Sequence, residues 1–250
     1  MKIKRIFLFV VVMLMFAGSS FANQKLKLGV YIWSGSFDEL KLSNIEKFVS
    51  SKGINIVELS YKPFSENKDI KAWSKNLVLQ GKDVEIVLSE PKYIFPGKWG
   101  VVKDRLNNIF SSGFDVHLDI EPHILNGFKE DKAKYLKLFV EFLNKVHAVA
   151  EKYKKGVSVA ITTRHYKGVI DDIARSSNRV VFMIYGVKNL KKIQETIEPY
   201  VRYNVAIALR AEDFKSEAEF LSFMDKISLL TDVKIFIVQN LRQWDELPIK

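Results

Sequence analysis

Eight short apolar runs, separated by segments of helical period along a chain of 250 residues, predict an α/β fold: a single (β/α)8 TIM barrel. Alternation of strand and helix favours parallel pairing through right-handed crossovers. The rival, an open doubly wound sheet, would carry a glycine-rich phosphate loop after its first strand, and none follows "KLKLGVYIW". No Pro/Gly-rich linker or composition shift divides residues 23–250, so one domain is expected there.

Taken in order, "KLKLGVYIW" is the first strand, and "LKLSNIEKFVSSKG" follows with Leu42, Ile45, Phe48 and Val49 on one helical face before a stop at Gly53. "INIVELSY" is the second strand, with Glu58 and Ser60 read as facing inward. "DVEIVLSE" is the third. The fourth, "FDVHLDIE", places Asp115, His117, Asp119 and Glu121 at alternate positions, with Val116, Leu118 and Ile120 between them and Pro122 after. A long amphipathic stretch, "DKAKYLKLFVEFLNKVHAVAEKY", leads to "VSVAITTR" and then to "RVVFMIYG". "NVAIALRA" is the seventh strand, where parity puts Ala206, Ala208, Arg210 and Glu212 on one face. "KSEAEFLSFMDKISLL" is the last long helix, and "VKIFIVQN" closes the barrel.

Residues 1–22 stand apart. Lys2, Lys4 and Arg5 precede the apolar stretch "IFLFVVVMLMFAG", and Ser20 and Ala22 lie just before Asn23. This is the three-part pattern of a cleavable secretory signal peptide, with an uncleaved anchor as the alternative. The mature chain is expected to be exported, periplasmic or extracellular, with no stable membrane span after signal cleavage. It has no cysteine, so its stability must come from packing. The formal charge of +10 is spread along helical segments rather than gathered into a basic patch with interleaved aromatics. That argues against nucleic acid as a partner.

Both faces of a barrel strand are covered, one by helices and one by the barrel interior. With Val116, Leu118 and Ile120 toward the helices, the polar file of the fourth strand lines the interior. Glu121 then reaches the C-terminal mouth, where barrel enzymes keep their active sites. Desolvated carboxylates are costly unless paired or used, so Asp119 and Glu121 together point to a site. No H-x-x-x-H or similar ligand spacing occurs and neither a metal nor another cofactor is expected, while the absence of a G-x-S-x-G elbow argues against a serine nucleophile.

The fourth and sixth strands together resemble those of chitinase-type family 18 glycoside hydrolases, (β/α)8 barrels whose fourth strand ends in D-x-x-D-x-D-x-E and whose sixth carries M-x-Y-D. The final D-x-E falls on Asp119 and Glu121, and M-x-Y on Met183 and Tyr185. His117 stands where the family's middle aspartate would be, Phe114 where its first would be, and Gly186 replaces the aspartate after the tyrosine. The resemblance implies Glu121 as general acid, Asp119 as stabiliser of the substrate's N-acetyl group and Tyr185 as its orienter. A like-charged neighbour and burial should raise the Glu121 pKa. His117 would hold Asp119 by a hydrogen bond, or simply be a packed neutral histidine.

A second arrangement pairs Glu121 of Glu121-Pro122 with Glu212 on the seventh strand, as in retaining glycosidases of the Glu-Pro type. Other strand ends supply candidate binding groups. Trp33 is either a stacking platform for a sugar or a core aromatic. Glu58 is a ligand contact or part of a polar barrel layer. His123, Arg164 and Arg210 lie beyond strand ends, and Gln239 and Trp244 complete the rim. The expected partner is a carbohydrate polymer or oligosaccharide, hydrolysed or, given the incomplete aspartate relay, bound without cleavage.

Overall fold

The computed structural model describes residues 25–249, so the proposed leader lies outside the described residues. The eight strands are β1 Lys27–Ile32, β2 Ile56–Ser60, β3 Asp83–Leu88, β4 Asp115–Leu118, β5 Val157–Ile161, β6 Arg179–Met183, β7 Val205–Leu209 and β8 Ile235–Val238. All neighbours pair in parallel, and β8 returns to β1 to close the barrel. Each apolar run of the sequence is one of these strands.

The covering helices are α1 Leu42–Ser51, α2 Lys68–Leu79, α3 Trp99–Ser111, α4 Lys132–Tyr153, α5 Ile170–Arg175, α6 Leu190–Ile197, α7 Glu217–Thr231 and α8 Leu241–Asp245. Short helices at Ser34–Glu39, Tyr61–Glu66 and Thr163–Tyr166 lie directly after β1, β2 and β5. Local chemistry sets the helix ends. Asn67, Asp131, Asn189 and Ser216 each accept from backbone N–H groups of the first turn they precede. Gly53, with φ of 62°, supplies the left-handed turn after α1. Among the described residues no helix is long and apolar enough to cross a membrane.

Two packed shells follow from strand parity. Val57, Leu59, Val116, Leu118, Ile120, Val159 and Phe182 belong to the shell between sheet and helices. Tyr31, Val87, Ala160, Val181, Met183, Ala206, Ala208 and Ile237 pack inside the barrel. Gly29 sits where a Cβ would come within 3.1 Å of both Ile237 and Ile56, so the first strand can approach its neighbours closely only without a side chain there.

Candidate active site

Below the mouth, a layer of polar side chains from six strands crosses an otherwise apolar barrel interior. Backbone register places Tyr31, Glu58 and Glu85 side by side on β1, β2 and β3, and His117, Ser158 and Arg179 side by side on β4, β5 and β6. All six are buried. The Arg179 guanidinium donates to Glu85 and lies 3.5 Å from Glu58 Oε1. The Ser158 hydroxyl donates to Glu85, so its oxygen is left to accept from His117 Nδ1 at 2.6 Å. His117 Nε2 then accepts from the Tyr31 hydroxyl at 2.8 Å. These bonds fix one neutral tautomer, and burial followed by the Arg179 charge holds the His117 pKa well below its usual value.

Glu58 and Glu85 are both pushed upward by burial, Glu58 further because Glu85 adds its charge. Glu58 is therefore the neutral member, and Glu85 is the carboxylate that answers Arg179. Donor atoms of Glu58, Glu85 and His117 lie within 4.8 Å of one another, a spacing that could hold a metal ion. Arg179 already supplies a positive charge to both carboxyl groups, and His117 Nδ1 is committed to Ser158. The layer is an ion and hydrogen-bond network in which Glu58 Oε2 and Arg179 Nε are left without a hydrogen-bond partner among the described residues.

Above it lies the mouth. The Asp119 N–H bonds to Leu88 O at 3.0 Å, extending the β3–β4 ladder past the end of β4. The Tyr166 hydroxyl donates to Ile120 O at 3.0 Å and so props the backbone between Asp119 and Glu121. Glu121 begins the single turn Pro122–Ile124 and is half-buried. Asp119 Oδ1 is buried without a hydrogen-bond partner. Burial, then the charge of Glu121, raises Asp119 from 3.8 to about 7. Glu121 is also raised by burial, with the nearby His165 opposing the shift. The phenol of Tyr185 is raised by burial and then by the charges of Asp119 and Glu121, which places all three in one electrostatic unit.

The flanks complete the mouth. On the β1 side, Trp33 stacks on Tyr31 with centroids 5.1 Å apart, and its Nε1–H donates to Gln239 O at 2.7 Å. Gln239 thus contributes its backbone carbonyl there. On the β4–β5 side, His123 and His165 stack at 4.2 Å, both held below their usual pKa by burial. On the β6–β7 side, Arg210 lies 5.7 Å from the Tyr185 ring and donates to Asp213 at 2.9 Å. Asp213 also accepts the N–H of Gly186, so a carboxylate from the seventh strand end stands beside the position where the sixth lacks its aspartate.

Several expected placements are corrected. Trp244 is not on the rim: it is 1 % exposed, meets Phe48 and Phe220 edge-on, and donates to Glu217 at 2.9 Å. It belongs to the seam of α1, α7 and α8. Trp244→Ala should therefore cost about 3–5 kcal/mol in urea unfolding. Glu58 faces inward as expected but is sealed in the polar layer, out of reach of a ligand at the mouth. His117 bonds Tyr31 and Ser158 rather than Asp119. Glu212 is exposed, because the turn Ala211–Asp213 breaks the strand parity; it pairs with Arg210 at 3.3 Å and accepts from Gln243. Arg164 is exposed, and its side chain forms no hydrogen bond or ion pair among the described residues.

Asp119 has a measurable consequence. Its pKa in the folded chain lies above the ordinary value, so the stability tied to its neutral form is complete below about pH 4. That stability is lost as the pH rises through about 7. At about 1.4 kcal/mol for each pKa unit, the loss reaches up to about 4 kcal/mol by pH 8. Asp119→Asn should flatten this pH dependence, and urea unfolding at pH 4 and pH 8 would show it. An unchanged slope would mean that the Asp119 carboxyl is solvated after all.

No protein-family model matches the chain, and no curated protein does. Solved structures show similarity of fold. A C-terminal domain bearing the name of a chitinase, from Desulfitobacterium hafniense DCB-2, is 11 % identical with a TM-score of 0.58, over 75 % of this chain and 66 % of that one. The glycoside hydrolase domain of PgaB (BpsB) from Bordetella bronchiseptica is 9 % identical with a TM-score of 0.57, over 85 % and 93 %. D-psicose 3-epimerase from Clostridium cellulolyticum H10 is 14 % identical with a TM-score of 0.56, over 89 % and 91 %. The chain thus spans just under two thirds of the first of these. At such identities the likeness establishes the (β/α)8 barrel and leaves the chemistry to be argued from the site.

Proposed function

We propose that this chain is an exported glycoside hydrolase-type barrel acting on an amino-sugar-containing polysaccharide of the cell envelope or matrix, with Glu121 as its general acid. The observation that carries this reading is the Asp119–Glu121 pair at the barrel mouth, both raised by burial and electrostatically joined to Tyr185. A raised carboxyl keeps its proton closer to neutral pH, which a general acid requires. Glu121, the less buried of the two, would protonate the glycosidic oxygen as the bond to the anomeric carbon breaks. The substrate's own acetamido oxygen would attack that carbon. Asp119 would steady the acetamido group and Tyr185 would orient it, the substrate-assisted exception to the two-carboxylate scheme. Trp33, fixed by its hydrogen bond to Gln239 O, would offer a ring to the sugar.

One observation favours a rival from another class, a sugar-binding barrel without turnover. His117 is engaged below and does not reach Asp119, whose Oδ1 stays unpartnered. The test is a mass-spectrometric cleavage screen on N-acetylated and partly deacetylated glucosamine oligomers, with a binding titration on the same ligands. Cleavage that depends on Glu121 supports hydrolysis. Binding without cleavage transfers the site to the rival, and neither result on any oligomer rejects the ligand class.

A further inference from the structure

A cavity of about 320 Å³ opens at the mouth over β2 and β3, and none of the residues assigned to catalysis lines it. Its floor is formed by Ser60 and Val87, the next inward positions above Glu58 and Glu85. Leu88, on its wall, is the residue whose carbonyl accepts the Asp119 N–H. Adjacent strands lie about 4.8 Å apart, so the cavity begins within one to two strand spacings of Asp119. A polymer passing over Glu121 would put a neighbouring sugar into it.

The group that gives this cavity its chemistry is Arg105, reaching in from α3. Its guanidinium lies 5.0 Å from the Tyr61 ring centroid and 5.5 Å from that of Tyr93, and it donates to the Tyr93 hydroxyl. It has no carboxylate partner within 4.0 Å among the described residues. Among the described residues Arg175, Arg179, Arg202, Arg210 and Arg242 all have one, and Arg164 is exposed. Arg105 is thus the half-buried arginine left with unused donors, held in place by two aromatic rings and facing a cavity. A guanidinium presents a planar fork that matches a carboxylate, and preorientation reduces the entropy lost on binding. Lys62 lines the same cavity and likewise makes no ion pair among the described residues. Glu66 and Glu90, both exposed, also line it, which disfavours densely charged anions and leaves room for a single carboxylate.

We infer that this cavity is a subsite for an acidic sugar whose carboxylate is received by Arg105, adjacent to the position over Asp119 and Glu121. The inference rests on the sugar-acting reading of the mouth and narrows its substrate class to glycans that carry uronic or similar carboxylated residues.

The test uses the Glu121→Gln protein, so that no ligand is consumed, and an oligosaccharide alternating N-acetylglucosamine with glucuronate. The same oligosaccharide with its carboxyl groups reduced to alcohols is the comparison, and an N-acetylglucosamine oligomer of equal length is the neutral reference. The acidic form should bind about tenfold to a hundredfold more tightly than its reduced form, the range of a charge-assisted hydrogen bond. Arg105→Gln should make the two equal, and thermal melting would show whether that variant is folded. Ser65→Trp, which fills the cavity from its rim and leaves Arg105 intact, should weaken the acidic form independently. Equal binding of acidic and reduced forms, or a preference that survives both variants, overturns the subsite. Binding of the neutral oligomer with no gain from the carboxylate overturns the subsite while leaving the sugar reading standing. An Arg105-dependent preference, with the parent protein that retains Glu121 cleaving none of the three, supports the subsite and removes only the hydrolase.

Discussion

Glu121→Gln is expected to lower the cleavage rate by about 10²–10⁴-fold, the range for losing a positioned general acid. Affinity for the oligomer should stay within about threefold, a change of less than 1 kcal/mol. The amide is isosteric, but it has no acidic proton to give to the leaving oxygen. Substrates with good leaving groups need less protonation, so aryl glycosides should lose less activity than natural oligomers. The pH profile adds an independent reading. Glu121 is raised by burial, and Asp119 titrates near 7, so the rate should fall on the alkaline side as the pair gives up its remaining proton. A variant that cleaves at the parent rate would exclude Glu121 from the acid role and with it the present assignment of the mouth.

Arg179→Met should be among the most damaging single changes to the fold. It leaves Glu85 ionised and unmatched in the interior, and losing one partner of a buried ion pair costs about 3–5 kcal/mol. Glu58→Gln is the contrasting case. Burial and the Glu85 charge already keep Glu58 neutral, so an amide there should cost about 1 kcal/mol or less. Adding Glu85→Gln to Arg179→Met should recover much of the loss, since the unpaired charge disappears. Urea midpoints at pH 7 would separate these outcomes. Equal costs for Arg179→Met and Glu58→Gln would mean that the charge sits differently among the carboxyl groups than the bonding pattern implies.

The barrel was legible because its strands advertise themselves locally. "FDVHLDIE" alternates strictly, and its polar file faces inward as the parity requires. Asp119, Glu121 and Tyr185 could be brought together because the ends of β4 and β6 converge where the barrel closes. What parity could not give was partnership across the interior. Arg179 opens "RVVFMIYG" two positions before Val181 on the inward face, so its direction was readable, yet its bond to Glu85 depends on the relative heights of β3 and β6. His117 illustrates the same limit: its strand neighbour Ser158 was closer to its ring than the next inward residue of its own strand. Glu212 failed for a different reason, since alternation was carried past Leu209 into a turn with another period. Trp244 packs three positions after Leu241 on one helical face, a spacing that signals core more than rim. Arg105 carried no signal at all in sequence, because α3 approaches the mouth only after folding.

The buried polar layer also sets the shear of the barrel. Sliding any one of β2, β3, β4 or β6 by a single residue would turn Glu58, Glu85, His117 or Arg179 out into the apolar shell under the helices, and in all but one case, where Asn178 would enter, carry a valine, leucine or isoleucine into the ionic layer. Each misalignment would strand at least one polar group without its partner. An all-apolar interior would penalise such slips far less, because a hydrophobic residue would replace another. The network thus works as a key that admits one alignment of strands, and the two carboxylates at the mouth inherit their heights from it.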